Sequence, residues 1–233
     1  MKKLGFTVFI VALILGVGVA SFVSWGKAGA RLFNISFNMG GVHGSGNVTS
    51  ETRDVSGFHG VDVSGVFEVE IVAQKEFSVQ VEADDNLLEY VRTEVEDGIL
   101  EISTSRKIKS SDMLKIRIGA PDIDNLSTSG VAKISLVDLK NAGLKVDSSG
   151  ASKMTLAGET DKLLIDVSGA AKIDAEGLRS RAASVDSSGA SKISVFATDS
   201  VRVKASGASK ITYTGGATDV VSKTSGAGSV TAK

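Results

Sequence analysis

The sequence contains no cysteine, a single proline and only 5% aromatic residues in 233 positions. The lack of cysteine excludes disulfide bonds, thiol catalysis and thiolate metal sites. The scarcity of proline and aromatic rings, together with 26 glycines, favours stacked β-turns around a narrow core of Val, Ile, Leu and Ala. A large charge of one sign is lacking too, since 26 basic and 27 acidic residues nearly cancel. The net charge therefore gives no support for nucleic acid as a partner.

Histidine is also scarce, with only His43 and His59 in the chain. A Ser-His-Asp triad needs one of them fixed between a nucleophile and an acid, and neither stands near a nucleophile-elbow motif. The sequence has no zinc-ligand spacing, no phosphate-binding loop and no aromatic stacking platform. We therefore predict a protein without catalysis, cofactor or metal site. An enzyme acting on polysaccharide is the least favoured alternative.

The N-terminus has the pattern of an exported protein. Lys2 and Lys3 precede an uncharged run at residues 4–26, whose 23 residues would span about 34 Å as a hydrophobic helix. The lysines place the start of the run in the cytoplasm and the rest of the chain outside. Small residues at positions 18–20 and 28–30 also fit a cleavage site. Residues 1–26 are therefore predicted to be a signal peptide or a retained transmembrane anchor.

The next two segments lead into the repeats. Residues 27–52 are polar and rich in glycine, which predicts a flexible tether. At residues 53–121 apolar and polar residues alternate as in half-buried strands, and Asp84-Asp85-Asn86 can cap a short helix at residues 87–91. This irregular part is expected to cover one end of the regular repeats at residues 122–233, because an open sheet end invites pairing with other chains.

The C-terminal half repeats one phrase, whose clearest copy is Ser-Gly-Ala-Ser-Lys-Ile. Six corner glycines mark the copies: Gly130, Gly150, Gly169, Gly189, Gly207 and Gly226. They are separated by steps of 20, 19, 20, 18 and 19 residues, which is typical of a solenoid whose coils bury their apolar faces by stacking. We therefore predict one solenoid domain at residues 53–233, with coils of about 19 residues.

Positions at even distances from the corner glycine are apolar, and those three before or after it are charged. This period of two predicts a pair of short strands in each coil, joined at the Ser-Gly corner and closed by a looser return such as residues 157–161. Glycine is expected at the corner because it accepts positive φ and avoids a crowded column of β-carbons. The predicted fold is therefore all-β, a parallel β-helix, and the usual hand of parallel crossovers predicts a right-handed one.

Segments in both halves of the chain resemble one known family. They are Gly44-Ser45-Gly46-Asn47, residues 53–65, residues 93–100 and the Ser-Gly-Ala-Ser-Lys repeats. Through these motifs, residues 44–233 resemble the bacterial head GIN domain family of auto-transporter adhesins. The resemblance implies a right-handed β-helix similar to that of pectate lyases but without their catalytic residues, and a role in cell adhesion. It provides no catalytic or binding residue to transfer to this sequence.

Charged columns beside the corner supply the candidate binding residues. Three aspartates stand six residues before a lysine, in the pairs Asp147 and Lys153, Asp166 and Lys172, and Asp186 and Lys192. This spacing predicts ion pairs across the corner on a solvated edge. Toward the C-terminus lysine replaces the aspartate, and a candidate basic edge for acidic glycans or envelope polymers consists of Arg202, Lys204, Lys210 and Lys223. A solvated surface without a partner is the alternative for this edge.

Together these features predict an exported, non-catalytic module for adhesion or surface binding in the cell envelope. Its partners would be glycans or envelope proteins, and also the membrane if the N-terminal helix is retained. The alternative from another class is a structural or regulatory envelope protein that docks a protein partner through the open end after Val230.

Overall fold

The structure of the chain, a computed structural model, describes residues 40–110 and 113–233. The predicted N-terminal helix at residues 1–26 and the first part of the predicted tether lie outside these residues. Gly41–Lys233 form one compact unit. In the part of the chain that the structure describes, no helix is long and apolar enough to span a membrane.

Strands dominate the described residues, and the predicted all-β class is confirmed. Nine strands precede the regular repeats: β1 Val42–His43, β2 Val48–Arg53, β3 Gly60–Val63, β4 Val66–Val72, β5 Ser78–Asp84, β6 Val91–Glu96, β7 Ile99–Thr104, β8 Ile108–Lys109 and β9 Leu114–Gly119. Eight strands follow: β10 Asn125–Thr128, β11 Val131–Ser148, β12 Ala151–Val167, β13 Ala170–Gly189, β14 Lys192–Gly207, β15 Lys210–Thr214, β16 Asp219–Thr224 and β17 Ser229–Ala232. In place of the predicted short helix, the chain makes a single 3-10 turn of three residues, Leu88–Tyr90.

Strands β11 to β14 each run along most of a coil and pair in parallel with the next strand. Equivalent positions stay in register, so that Val131 pairs with Ala151 and Ala151 pairs with Ala170. Because each residue lies opposite its equivalent in the next coil, like side chains form continuous columns. The predicted parallel solenoid is confirmed, with about five turns. Its right-handedness stays a prediction.

The return of each coil is more regular than the sequence predicts. Residues 157–161 belong to β12 rather than to a loose loop, and Thr160 pairs with Asn141 of the preceding coil. The Thr160 side chain is buried, and its hydroxyl donates to Asn141 Oδ1 at 2.8 Å. Polar residues that would favour a turn in isolation are thus held in strands by partners in the neighbouring coil.

The corner glycines divide the strands between two sheet faces. The pre-corner face consists of β6, β7, β3 and β10 in that order, followed by the C-terminal parts of β11 to β14 and by β16. The post-corner face consists of β2, β5, β9 and β4, followed by the N-terminal parts of β11 to β14 and by β15 and β17. Apolar side chains between the two faces form one core cluster.

The N-terminal part continues the solenoid, but its layers are not stacked in chain order. β3 lies between β7 and β10, and β4 lies between β9 and β11. The layer at residues 60–72 is therefore enclosed by two layers that come later in the chain. Its Ser64-Gly65 corner stacks against Gly130, and Val131 donates its N–H to Gly65 O at 2.8 Å.

Antiparallel strands close the N-terminal end of the described sheet. β2 pairs with β5 on the post-corner face, and β6 pairs with β7 on the pre-corner face. Strand β2 falls in the segment predicted as a tether, so the sheet already begins at Val48, before residue 53. Its side chains are almost all exposed, which explains why the sequence has no amphipathic pattern there.

The apolar columns fill the space between the faces. Residues four positions before the corner are at most 2% exposed: Val146, Ile165, Val185 and Val203. Residues four positions after it are at most 1% exposed: Ile134, Met154, Ile173, Ile193 and Ile211. Burial ends with the last coil, because every residue of β16 is exposed and Val220 retains 37% of its accessible surface.

Candidate functional site

Each corner is tight because its glycine packs on the backbone of the preceding corner. A β-carbon at Gly150 would lie 2.0 Å from Gly130 O, and one at Gly169 would lie 2.2 Å from Gly150 O. Positive φ occurs only at the last two of the six predicted corners, Gly207 (83°) and Gly226 (76°). Crowding therefore explains glycine at the four earlier corners, whereas the predicted need for positive φ applies only to the last two.

Small hydroxyls line the inside of the corner. Ser148 Oγ lies 2.8 Å from Ser152 Oγ, and both side chains are buried. Two coils later Ser187 Oγ lies 2.7 Å from Ser191 Oγ and 3.0 Å from Ser209 Oγ. Residues two positions before and two positions after a corner glycine thus face each other across the core. Because side chains alternate along a strand, residues three positions away on either side point outward from opposite faces.

This geometry corrects the predicted ion pairs across the corner. The aspartates before the corner point out of the pre-corner face, and the lysines after it point out of the post-corner face. Among the described residues no salt bridge joins Asp147 to Lys153, or the two equivalent pairs. Asp147 instead pairs with Lys145 on its own face at 2.8 Å, and Asp186 lies 3.9 Å from Lys204.

The post-corner face therefore carries an uninterrupted line of basic side chains. Five lysines occupy the same register position in successive coils, and we name them the lysine column: Lys133, Lys153, Lys172, Lys192 and Lys210. All five are exposed. Neighbouring positions of parallel strands lie about 4.8 Å apart, so the column spans roughly 19 Å.

Within residues 40–110 and 113–233, Lys133 is the one lysine of the column with an acidic partner. Lys133 Nζ donates to Glu68 Oε1, and this hydrogen bond raises the pKa of Lys133 and lowers the pKa of Glu68. No side-chain hydrogen bond or salt bridge in the described part of the chain involves Lys153, Lys172, Lys192 or Lys210. Like charges at adjacent register positions repel each other. Four coils thus carry a repulsion that no ion pair within the described residues offsets.

The side chains beside the lysine column are short. One position after the corner glycine stand Val131, Ala151, Ala170, Ala190 and Ala208. Five positions after it stand Ser135, Thr155, Asp174, Ser194 and Thr212. Extended lysines therefore rise above both flanking columns, and Asp174 is the one anion beside them. A linear partner could contact the ammonium groups without meeting a larger side chain.

The predicted basic edge is divided between the two faces. Arg202, Lys204 and Lys223 lie on the pre-corner face, where Lys204 pairs in register with Lys223. Lys210 lies on the post-corner face and is the last member of the lysine column. Arg202 Nη2 contacts Asp219 Oδ2 at 3.0 Å, and Lys204 lies near Asp186, so two of the four residues have the acidic partners that the sequence did not suggest.

The residues considered for catalysis have other contacts. His59 Nδ1 is 2.8 Å from Asp124 Oδ1, with both side chains about half exposed at 55% and 49%. Among the described residues no hydroxyl hydrogen-bonds to His59 Nε2, which faces Gly98. His43 lies in β1, and its backbone oxygen accepts from Asn86 Nδ2. Within residues 40–110 and 113–233, no three acidic or histidine side chains are grouped as a metal site.

Stacked parallel coils with extended charged faces define the class of this protein, a β-solenoid. Its family follows from sequence comparison. Residues 57–217 match the family described as "Putative auto-transporter adhesin, head GIN domain", and the chain belongs to this family. The resemblance noted in the sequence is thereby confirmed. A comparison with curated protein sequences found no significant match.

Solved structures share the fold at low sequence identity. A "putative adhesin" from Bacteroides fragilis is 21% identical with a TM-score of 0.68, and the alignment covers 83% of this chain and 100% of that one. A "putative adhesin" from Parabacteroides merdae is 19% identical with a TM-score of 0.51, over 82% and 98% of the two chains. A "putative lipid binding protein" from Parabacteroides distasonis is 19% identical with a TM-score of 0.51, over 83% and 100%. Similarity at this level concerns the fold alone.

Proposed function

We propose that this protein is a non-catalytic adhesion module, displayed outside the cell, that binds acidic glycans through the lysine column. The observation that carries the proposal is the alignment of four exposed lysines without ion-pair partners among the described residues, at one pitch and between two columns of short side chains. Membership of an adhesin family supports the general role. The predicted export signal at residues 1–26 supports display outside the cell.

The proposed binding is electrostatic and cumulative. A single exposed ammonium–carboxylate contact contributes little, but a polymer with one acidic group in each repeat unit can meet several lysines at once. Binding of this kind weakens as ionic strength rises, because salt screens exposed charges. A neutral polymer of the same length would gain nothing from the column. We therefore expect retention on acidic polysaccharide at low salt and release at high salt.

The test compares two variants with equal changes in net charge. In the column variant, Lys153, Lys172 and Lys192 are replaced by glutamate. In the edge variant, Arg202, Lys204 and Lys223 are replaced by glutamate on the opposite face. Each full-length variant is passed over immobilised polygalacturonate and over neutral dextran. We expect the column variant to lose retention on polygalacturonate and the edge variant to keep it.

Other outcomes point to other functions. Loss of retention in the edge variant alone would move the binding site to the pre-corner face and overturn the assignment to the lysine column. Charge-based glycan binding would be refuted if both variants were retained on polygalacturonate as strongly as wild-type protein, or if wild-type protein were retained equally on dextran. Either of these results would favour the alternative of a protein that docks an envelope partner at the exposed last coil. Circular dichroism of both variants checks that the solenoid is intact.

A further inference from the structure

The pre-corner face carries a line of acidic side chains on the side of the molecule opposite the lysines. Five register positions three residues before the corner form this line, which we name the acidic column: Asp62, Ser127, Asp147, Asp166 and Asp186. Ser127 is its one uncharged member. Asp166 and Asp186 are exposed and Asp147 is half-buried. Among the described residues, Asp166 forms no salt bridge.

The two columns have matching dimensions because the same coils build both. Each column has five positions, and the spacing of both is the distance between parallel strands, about 4.8 Å. Their charges are opposite, and they point away from each other. One molecule therefore cannot satisfy its lysine column with its own acidic column. A second copy can, when its acidic column faces the lysine column of the first.

We propose that this protein associates with further copies of itself by placing the lysine column of one copy on the acidic column of the next. When the two solenoid axes run in opposite directions, Asp62 faces Lys210 and Asp186 faces Lys133. The three positions between them place Ser127, Asp147 and Asp166 opposite Lys192, Lys172 and Lys153. The next position beyond Asp186 brings Lys204 opposite Glu68, so the complementarity extends past the five lysines.

The arrangement predicts open stacks rather than closed dimers. The two surfaces in contact are different, so each added copy leaves one lysine column and one acidic column free for further copies. The contact is small and dominated by exposed charges, which makes it transient and sensitive to salt. It uses the same lysines as the proposed function but does not depend on a glycan ligand. Acidic polysaccharide and a second copy would compete for the column.

The test uses charge reversal on each face in the full-length protein. The column variant has three acidic substitutions, Lys153→Glu, Lys172→Glu and Lys192→Glu, and so has two acidic faces. The acidic-face variant has Asp147→Lys, Asp166→Lys and Asp186→Lys, and so has two basic faces. Sedimentation velocity in a mild non-ionic detergent at low and high salt measures association. We expect wild-type protein to form larger species with concentration at low salt and to dissociate at high salt.

Mixing the two variants provides the decisive measurement. Each variant alone should remain monomeric, because its two faces repel those of its copies. An equimolar mixture should form larger species again, which also shows that both variants are folded. A wild-type protein that stays monomeric at low salt would overturn the proposal, as would a mixture that fails to associate.

Polysaccharide binding separates this proposal from the proposed function. A neutral-face variant with Asp147→Asn, Asp166→Asn and Asp186→Asn keeps its lysine column and gains no second basic face, so it should lose self-association and still be retained on polygalacturonate. Wild-type protein that binds polygalacturonate without self-association refutes only the stacking of copies. Self-association without retention on polygalacturonate refutes only the glycan ligand.

Discussion

The middle coils and the last coil follow the same sequence pattern but differ in how closely their corners and core side chains are packed. At Gly169 a β-carbon would lie 2.2 Å from the neighbouring backbone, whereas at Gly226 the nearest atom would be 3.1 Å away. Val201 is fully buried, and Val220, its register partner in the last coil, is 37% exposed. In a coil that has a neighbouring coil on both sides, the corner glycine and the core side chains are thus closely packed. Among the described residues, the last coil pairs with a coil on one side, and there the phrase changes to Ser-Gly-Ala-Gly-Ser.

The largest expected difference between these regions lies at the corner. Gly169→Ala places a β-carbon against backbone that has no room to move, and we expect a loss of about 3 kcal/mol or more in the free energy of unfolding. Gly226→Ala makes a milder backbone contact, 3.1 Å from Gly207 O, and its main cost is the positive φ, about 1–2 kcal/mol. Urea unfolding of both variants measures the difference. Equal losses would show that the middle corners are not limited by crowding.

A matched pair of valines tests the core on the pre-corner face. Val201→Ala removes two buried methyl groups. It should reduce the free energy of unfolding by about 2 kcal/mol, which includes the cost of the cavity left behind. Val220→Ala removes the same groups from a partly exposed site and should cost about half as much or less. Thermal and urea unfolding of both variants provide the comparison. A larger effect at Val220 would mean that the last coil is covered in solution.

The buried hydroxyls provide a smaller contrast. Ser187→Ala removes a hydroxyl with no exposed surface and two hydroxyl neighbours, so we expect a loss of about 1–2 kcal/mol. Thr224 holds the equivalent position in the last coil and is exposed, and Thr224→Val should change stability by less than about 0.5 kcal/mol. Similar losses in both variants would show that the inner hydroxyls contribute no more than exposed ones.

The smallest effect concerns the lysine column. Lys172 lies between two other lysines, whereas Lys210 has a lysine on one side and Ser229 on the other. Lys172→Gln should raise stability at low salt, by no more than about 0.5 kcal/mol, and Lys210→Gln should raise it less. High salt should abolish the difference, because it screens the repulsion. A loss of stability in Lys172→Gln would show that the ammonium has a partner.

The coil pattern could be read from the sequence because burial alternates strictly with position. Ile173 and Val185 lie at even distances from their corners and are buried as this period requires. The period of two shows whether a side chain points into the core or toward solvent, but it does not show which of the two sheet faces carries that side chain. Asp166 and Lys172 are both outward residues, and only the turn at Gly169 reveals that they point to opposite sides. The predicted ion pairs failed for this reason, and the same ambiguity placed Lys210 with Arg202.

Other features were hidden because the neighbouring coil supplies the interactions. Thr160 and Asn141 have turn-forming side chains, and their hydrogen bond in the stacked coils keeps them in strands. Strand β2 has no buried face of its own and pairs with β5 through its backbone. No local pattern can show the placement of residues 60–72 between later layers, since it depends on pairings such as Val63 with Thr128.

That placement sets the order in which the chain can fold during synthesis. Thr128 is 65 residues from its partner Val63, whereas Thr160 is 19 residues from Asn141. Successive repeats can therefore join the growing stack soon after they leave the ribosome, with a short loop to close each time. The layer at residues 60–72 must wait until residue 137 has been made before both of its neighbours exist. These early strands thus wait about three times as long as a regular coil for their second neighbour, and until then their backbone edges are available to chaperones or to incorrect partners.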